Sequence, residues 1–319
     1  MALGAEAGIT AIVPTLGRSP HLGPCLRALE LEVGRIVLVV PQDTADDLDA
    51  GAVPQSVEIL GTATRLGFAA ANNVAWRHLR DDDAPYLALV NDDAVVEPGW
   101  GRRLYDVLET RPRAAAVQGT NLSLHRPDLV DGRGLGWNRW WQAVQIDHGL
   151  PERGGRGSSQ GADPASVFGV FGVSATAALY RRRALDGVAG SAGPFDEALF
   201  AYYEDVDLGC RLRAAGWRAY SEPGARALHA GSVTGRILPR AGRHLIHGNR
   251  YLVLARWLGR GLWRRLPRAV ARDALDLGRL LRLGDVAGAA GVAGGLGRAL
   301  RHLPAYAHWG PAKLEESDV

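Results

Sequence analysis

The chain has 319 residues, 47% hydrophobic and 22% charged, which is ordinary for a soluble globular protein and long enough for one large α/β domain with an extension or two modest domains. Its formal net charge is only +3 at a pI near 9.1, yet ten arginines and no acid fall between Arg236 and Arg272, which points to an anionic partner there: membrane lipid, a phosphorylated acceptor or nucleic acid. Cys25 and Cys210 offer neither a disulfide framework nor zinc spacing, no basic and apolar leader opens the chain, and no run of ~18 apolar residues could span a bilayer; the expectation is a cytoplasmic protein with at most peripheral membrane contact.

Five short apolar runs read as buried parallel strands: Ile9–Val13, Arg35–Val40, Val57–Leu60, Tyr86–Val90 and Ala114–Gln118. Helical stretches around Leu22–Glu30, Phe68–Leu79 and Trp100–Thr110 lie between them, the alternation of βα units in an open doubly wound sheet. Such sheets bind ligands beyond the carboxyl ends of their strands, and polar residues follow three of these runs: Thr15, Asp43 and Asn91-Asp92-Asp93. After Gln118 the alternation fades into an aromatic region at Trp137, Trp140 and Trp141, then a loop of flexible composition at Arg153–Gly161. A core strand returns near Val167–Tyr180. Next come Phe195-Asp196-Glu197, a helix opened by Glu204-Asp205-Val206-Asp207 and running to about Ala215, a strand at Trp217–Ser221, a Pro-Gly turn and His229.

From about Gly235 the chain becomes Arg- and Leu-rich helix. Leu254, Leu258 and Leu262 form one stripe, Arg256, Arg260 and Arg264 lie opposite, and Pro267 should end or kink the helix. Two readings stand: a helix packed on the preceding domain with a solvated arginine face, or a helix lying on a membrane surface beside a lipid-linked acceptor.

Carboxylates at a strand end suit a hard divalent cation bridging phosphate oxygens, although Asp and Asn also serve turns and caps. The acids of residues 204–207 complement a helix dipole, but the flanking apolar periodicity places one carboxylate at the end of a buried element, where its pKa can be set for general-base work. His229 could complete a carboxylate metal site.

The ordered set Thr15, Gly67-Phe68-Ala69, Asn91-Asp92-Asp93, Phe195-Asp196-Glu197, Glu204-Asp205-Val206-Asp207 and His229 resembles the family 2 glycosyltransferases, within them the bacterial rhamnosyltransferase and galactofuranosyltransferase-like branch. The resemblance covers roughly Ile9 to Arg250 and is strongest over Gly193–Gly231. It implies a GT-A fold with a mostly parallel sheet, placed over residues 1–235 ahead of the Arg-rich amphipathic helical region over 236–319, and inverting transfer from a metal-bound nucleoside-diphosphate sugar. Mn²⁺ or Mg²⁺ is the implied cofactor. Asn91 and Asp93 take the outer positions of the D-x-D motif; Asp93 should bind the metal, Asn91 stands in place of the first acid, and His229 matches a histidine that joins the metal site. Asp205 is the expected catalytic base, with Glu204 orienting hydroxyls and Asp207 no more than a helix-turn acid. Donor contacts are expected from Pro14, Thr15, Gln42, Asp43, Gly67, Asn73, Asn91 and Asp92. Where the family commonly carries Asp-Asn to read the base, this chain has Pro41-Gln42 and then Asp43, so Asp43, Gln42 or backbone groups take over. A dTDP- or UDP-sugar is the expected donor, and a glycan, lipid-linked or small-molecule hydroxyl the acceptor.

Other classes fit less well. A nicotinamide dehydrogenase needs G-x-G-x-x-G after a strand, and Pro14-Thr-Leu-Gly-Arg18 is not that. A sugar-nucleotide nucleotidyltransferase wants a glycine-rich basic loop there, for which Arg18 is a thin substitute. An inactive lipid- or glycan-binding module of the same fold is opposed by intact Asp93, Asp205 and His229, and no motif supports nucleic-acid binding.

Overall fold

The computed structural model describes residues 8–45, 48, 51, 53–152, 166–231 and 239–307; the loop at Arg153–Gly161 and the expected boundary at Gly235 lie outside them. In chain order, β1 (Ile9–Pro14), α1 (Leu22–Glu30), β2 (Arg35–Pro41), the single turn α2 (Gln42–Ala45), β3 (Glu58–Thr62), α3 (Phe68–His78) and β4 (Tyr86–Val90) build one half of the sheet. β4, β1, β2 and β3 lie side by side in that order, all parallel. The apolar runs are continuous because both faces are covered. Leu22, Cys25, Leu26 and Leu29 of α1 pack beneath Ile9, Ala11 and Val13, while Ala69, Ala71 and Ala75 of α3 cover Ile12, Val37 and Val39 on the other side.

The second half is mixed. It holds β5 (Ala94–Val96), α4 (Trp100–Thr110), β6 (Ala114–Ser123), β7 (Arg126–Gly132), the hairpin β8 (Leu135–Trp137) and β9 (Ala143–Gln145), β10 (Phe168–Val170), β11 (Ala177–Arg181), α5 (Arg182–Val188), α6 (Glu204–Ala214) and β12 (Arg218–His229). The main path runs β10-β12-β6-β11-β4-β1-β2-β3, with β5 beside β12 and β7 beside β6. Along it β10 and β11 run against the other strands.

Two strand expectations change. The apolar stretch near Val167–Tyr180 is two strands, β10 and β11, separated by a crossing segment. The strand expected to stop at Ser221 continues to His229, and Pro223-Gly224 makes no turn. A register shift against β6 between Ser221 and Arg226 absorbs these residues, a bulge being where a strand tolerates a proline without an N–H. Gly119 permits it, since a Cβ there would collide with the Ala225 carbonyl.

The tail forms α7 (Pro239–Leu258), α8 (Leu262–Arg282) and α9 (Val286–Tyr306). Leu254, Leu258 and Leu262 are buried as expected, in a cluster with Leu199, Tyr203, Val206 and Cys210. Arg256 departs from the expected solvated face: it pairs with Asp196 at 2.6 Å and Asp207 at 3.0 Å. Arg250 is 1% exposed and bound to Asp273. The helix breaks at Gly259–Gly261, and Pro267 sits inside α8. Pro267 is on the exposed side, where the carbonyl it leaves unbonded can be hydrated.

Candidate active site

Loops after the parallel strands gather the expected polar residues at one carboxyl edge. Pro14 ends β1, and Thr15 donates to Asp92 Oδ2 at 2.5 Å while its oxygen accepts the Gly17 N–H. Gln42 and Asp43 are exposed just beyond β2; Asp43 pairs with Arg65 at 3.5 Å. Asn91-Asp92-Asp93 forms the turn between β4 and β5. Burial raises the Asp92 carboxyl to about 6, the Thr15 hydroxyl opposing and Asp93 adding to the rise.

Strand pairing sets Asp93 against His229. β5 is antiparallel to the end of β12 with Ala94 opposite His229, and the Ala230 N–H bonds the Asp93 carbonyl. Asp93 (4% exposed) then has Oδ1 3.3 Å from His229 Nε2. The other ring nitrogen, Nδ1, lies 2.8 Å from Asp131 Oδ2 on β7. Burial disfavours the imidazolium, but the carboxylates of Asp131 and Asp93 outweigh it and raise His229 to about 9.

These residues fit a divalent cation. His229 Nε2 is buried without a hydrogen-bond partner, beside one carboxylate and oriented from behind by another, the carboxylate–histidine arrangement of metal sites. A second group within ligand distance, His247, Asp273 and Asp276, fits less well. Asp273 accepts from His247, Arg250 and Tyr251, and Asp276 pairs with Arg272, so their charges are already answered.

The acidic start of α6 follows a strained loop. Phe200, Tyr202 and Tyr203 have φ of 65°, 64° and 70°, uncommon for aromatic residues and costing ~1–3 kcal/mol each. Glu204 is 6% exposed and its Oε2 has no partner; burial, then the neighbouring Asp205, push it well above the carboxylate range. Burial also raises Asp205, to about 6, where the N–H groups of Val206 and Ala175 and the Ser174 hydroxyl hold it down. The two carboxyls are neighbours and titrate as a pair, both raised by burial.

One segment joins the two halves. Ser174 serves Asp205, its hydroxyl lies 3.0 Å from that of Thr176, and the Thr176 carbonyl accepts the Asn91 N–H at 2.8 Å. Gly67 adds a third approach: a Cβ there would sit 2.6 Å from both the ring and the carbonyl oxygen of Phe200, which accepts the Ala69 N–H.

Two residues take other places than expected. Asn73 is 0% exposed, with Nδ2 bonded to the Phe195 carbonyl and Glu197 and Oδ1 to the Phe195 N–H; it fastens the Phe195–Glu197 turn to α3 and has no atom left for a donor. Asp207 is no simple helix-turn acid: fully buried, it accepts from Arg211, Arg256 and Trp257 and ties the tail to α6. Asp131 and Ser174 belong to no motif of the sequence; their only local signals are Leu129-Val130-Asp131-Gly132 as strand end and Ser174-Ala175-Thr176 as turn.

Residues 7–240 match the family profile described as glycosyltransferase like family 2. The chain is 29% identical over 300 residues to the N-acetylglucosaminyl-diphospho-decaprenol L-rhamnosyltransferase of Mycobacterium tuberculosis, covering 84% of this chain and 91% of that protein. Among solved structures it is similar to GalNAc-T7 with UDP, GalNAc and Mn²⁺, at TM-score 0.60 and 11% identity, covering 95% of this chain and 58% of that one. It is also similar to the mannosyltransferase PcManGT from Pyrobaculum calidifontis in complex with GDP-Man and Mn²⁺, at TM-score 0.48 and 16% identity, covering 92% and 86%. At such identities the structural likeness speaks to the fold, an α/β architecture of the GT-A glycosyltransferase type.

Proposed function

Starting from the chain's membership of glycosyltransferase-like family 2, we propose that it is an inverting transferase moving a rhamnose-like or galactofuranose-like sugar from a dTDP- or UDP-linked donor to a hydroxyl of a lipid-linked glycan. The observation that carries this reading is the Ser174–Thr176 segment, which lowers the Asp205 carboxyl at one end and accepts the Asn91 N–H at the other. A base for the acceptor and an acidic, histidine-containing face for the diphosphate thus share one support.

Asp93, His229 and the Asn91 amide oxygen would hold Mn²⁺ or Mg²⁺, which would neutralise charge on the departing diphosphate. Asp205, ionised above about pH 6, takes the proton of the acceptor hydroxyl as that oxygen bonds to the anomeric carbon. The bond to the diphosphate breaks on the opposite face, and the leaving group carries away the electron pair. Glu204, raised by burial and by the neighbouring Asp205, orients the hydroxyls of the bound sugars. Thr15 fixes Asp92 beside the diphosphate, with Pro14 and Gly67 shaping the donor cleft and Gln42 and Asp43 facing the base.

Lipid linkage of the acceptor is favoured by the relative's substrate and by the outer face of α8. Trp263, Val270, Leu275 and Leu281 are 47–58% exposed there, alongside exposed Arg264, Arg268, Arg279 and Arg282. No helix among the described residues is long and apolar enough to cross a membrane, so contact would be with the surface of an anionic bilayer. Flotation with phosphatidylglycerol vesicles should be lost when those four arginines become Glu; equal flotation refutes the contact. For the donor, dTDP or UDP with Mn²⁺ should raise the melting temperature, and no shift with any nucleoside diphosphate, with or without metal, refutes the reading.

A further inference from the structure

The family match ends at residue 240, yet the loop that presents Asp205 is held from beyond it. Three aromatic residues with left-handed backbone in four positions, Phe200, Tyr202 and Tyr203, do not keep such a conformation unaided. Within residues 7–240 the loop has the Ala69 N–H on the Phe200 carbonyl. The Ala143 N–H donates to the Tyr203 hydroxyl at 3.2 Å, and the carbonyls of Leu199, Ala201 and Tyr202 are met from α7. Asn249, 0% exposed, places Nδ2 2.7, 3.0 and 2.8 Å from the carbonyl oxygens of Leu199, Ala201 and Tyr202. The amide orientation is fixed by α9: Arg298 has only hydrogens to offer, and its Nε donates to Asn249 Oδ1 at 3.2 Å, so the NH₂ must face the loop. A second Arg298 nitrogen, Nη2, donates to the Ala198 carbonyl at 2.5 Å.

We infer that Asn249, oriented by Arg298, is a positioning residue for the transfer step, holding the Leu199–Tyr203 loop in the one shape that points Asp205 at the acceptor. The inference rests on Asp205 being the base. It makes the C-terminal helices part of the catalytic unit, because Asp205 follows the clamped backbone by three residues and an error in the loop passes straight to its carboxylate. Bulk packing of the tail is supplied separately by Leu252, Leu254 and Leu258, so the clamp can be altered without removing that apolar contact.

The test uses the full chain and two variants. Asn249→Asp keeps the size but replaces the donating NH₂ with an oxygen facing three carbonyls. Arg298→Ala leaves Asn249 in place and frees its orientation; Arg298 is only half-buried, so this variant is suited to decide should Asn249→Asp fail to fold. Transfer kinetics and calorimetric binding of the nucleoside diphosphate with Mn²⁺ are read at a temperature where circular dichroism shows full folding. A displaced base lowers kcat about ten- to hundred-fold in Asn249→Asp and less in Arg298→Ala, with donor KM and diphosphate affinity unchanged. Wild-type kcat in the folded variants overturns the inference, as does a parallel loss of kcat and diphosphate affinity, the mark of general loosening. Asp205→Asn is run beside them: if it still transfers, the base assignment fails, whereas its inactivity beside wild-type kcat in the clamp variants removes the clamp alone.

Discussion

Replacing Asp205 by Asn should stabilise the protein, and more so as the pH rises. Burial lifts this carboxyl from 3.8 to about 6, so between those values the folded state binds more protons than the unfolded chain and wild-type stability falls with increasing pH. A shift of two units or so at ~1.4 kcal/mol each leaves a penalty of about 3 kcal/mol once the pH exceeds about 7, and only about 1 kcal/mol at pH 4.5. Asn carries no such penalty. The hydrogen bonds that favour the ionised carboxylate, the Val206 N–H among them, are already counted in the value of about 6. Urea unfolding of both proteins at pH 4.5 and pH 8 should therefore show the gap moving in the variant's favour by about 2 kcal/mol. A gap that does not move would mean Asp205 has an ordinary carboxyl, and the argument that the site tunes a base would fall with it.

Three further outcomes are expected. The kcat–pH profile should rise about ten-fold per unit below pH 6 and flatten above it; a profile flat down to pH 4.5 removes Asp205 as the titrating base. Asp131→Asn should weaken Mn²⁺ activation about 10–100-fold, because the ring of His229 loses the carboxylate behind it, and an unaltered Mn²⁺ titration contradicts the metal face. Asp207→Ala removes a buried acceptor that Arg211, Arg256 and Trp257 now share and should cost about 3 kcal/mol in urea unfolding; a loss of only a few tenths would show that the tail does not depend on this acid.

The parallel half of the sheet was legible because its signals are local. β1, β2 and β4 are buried on both faces, so their apolar runs announce themselves, and α1 and α4 begin and end where the sequence pattern does. The mixed half was not. β5, β8, β9 and β10 are three-residue strands, too short for a period of two to repeat, and β12 hides a bulge at Pro223-Gly224 that reads as a turn. Site residues divide the same way. Asp93 and Asp205 stand in ordered motifs, but Asp131 matters only because β7 folds back along β6, and Asn73 is excluded as a donor contact only by its bonds to Phe195, 122 positions away. The tail arginines misled for a related reason: helical periodicity assigns Arg256 a face, but cannot foresee that Asp196 and Asp207 wait on the neighbouring surface.

Transfer by Asp205→Asn is the most direct test of the site. With a panel of dTDP- and UDP-sugars, Mn²⁺ and a lipid-diphosphate-linked N-acetylglucosamine acceptor, the wild-type chain should give a product of inverted anomeric configuration. The variant should bind the nucleoside diphosphate normally yet transfer about 10²–10⁴-fold more slowly. Wild-type rates from the variant, or retained configuration in the product, would contradict Asp205 as the base of an inverting transferase.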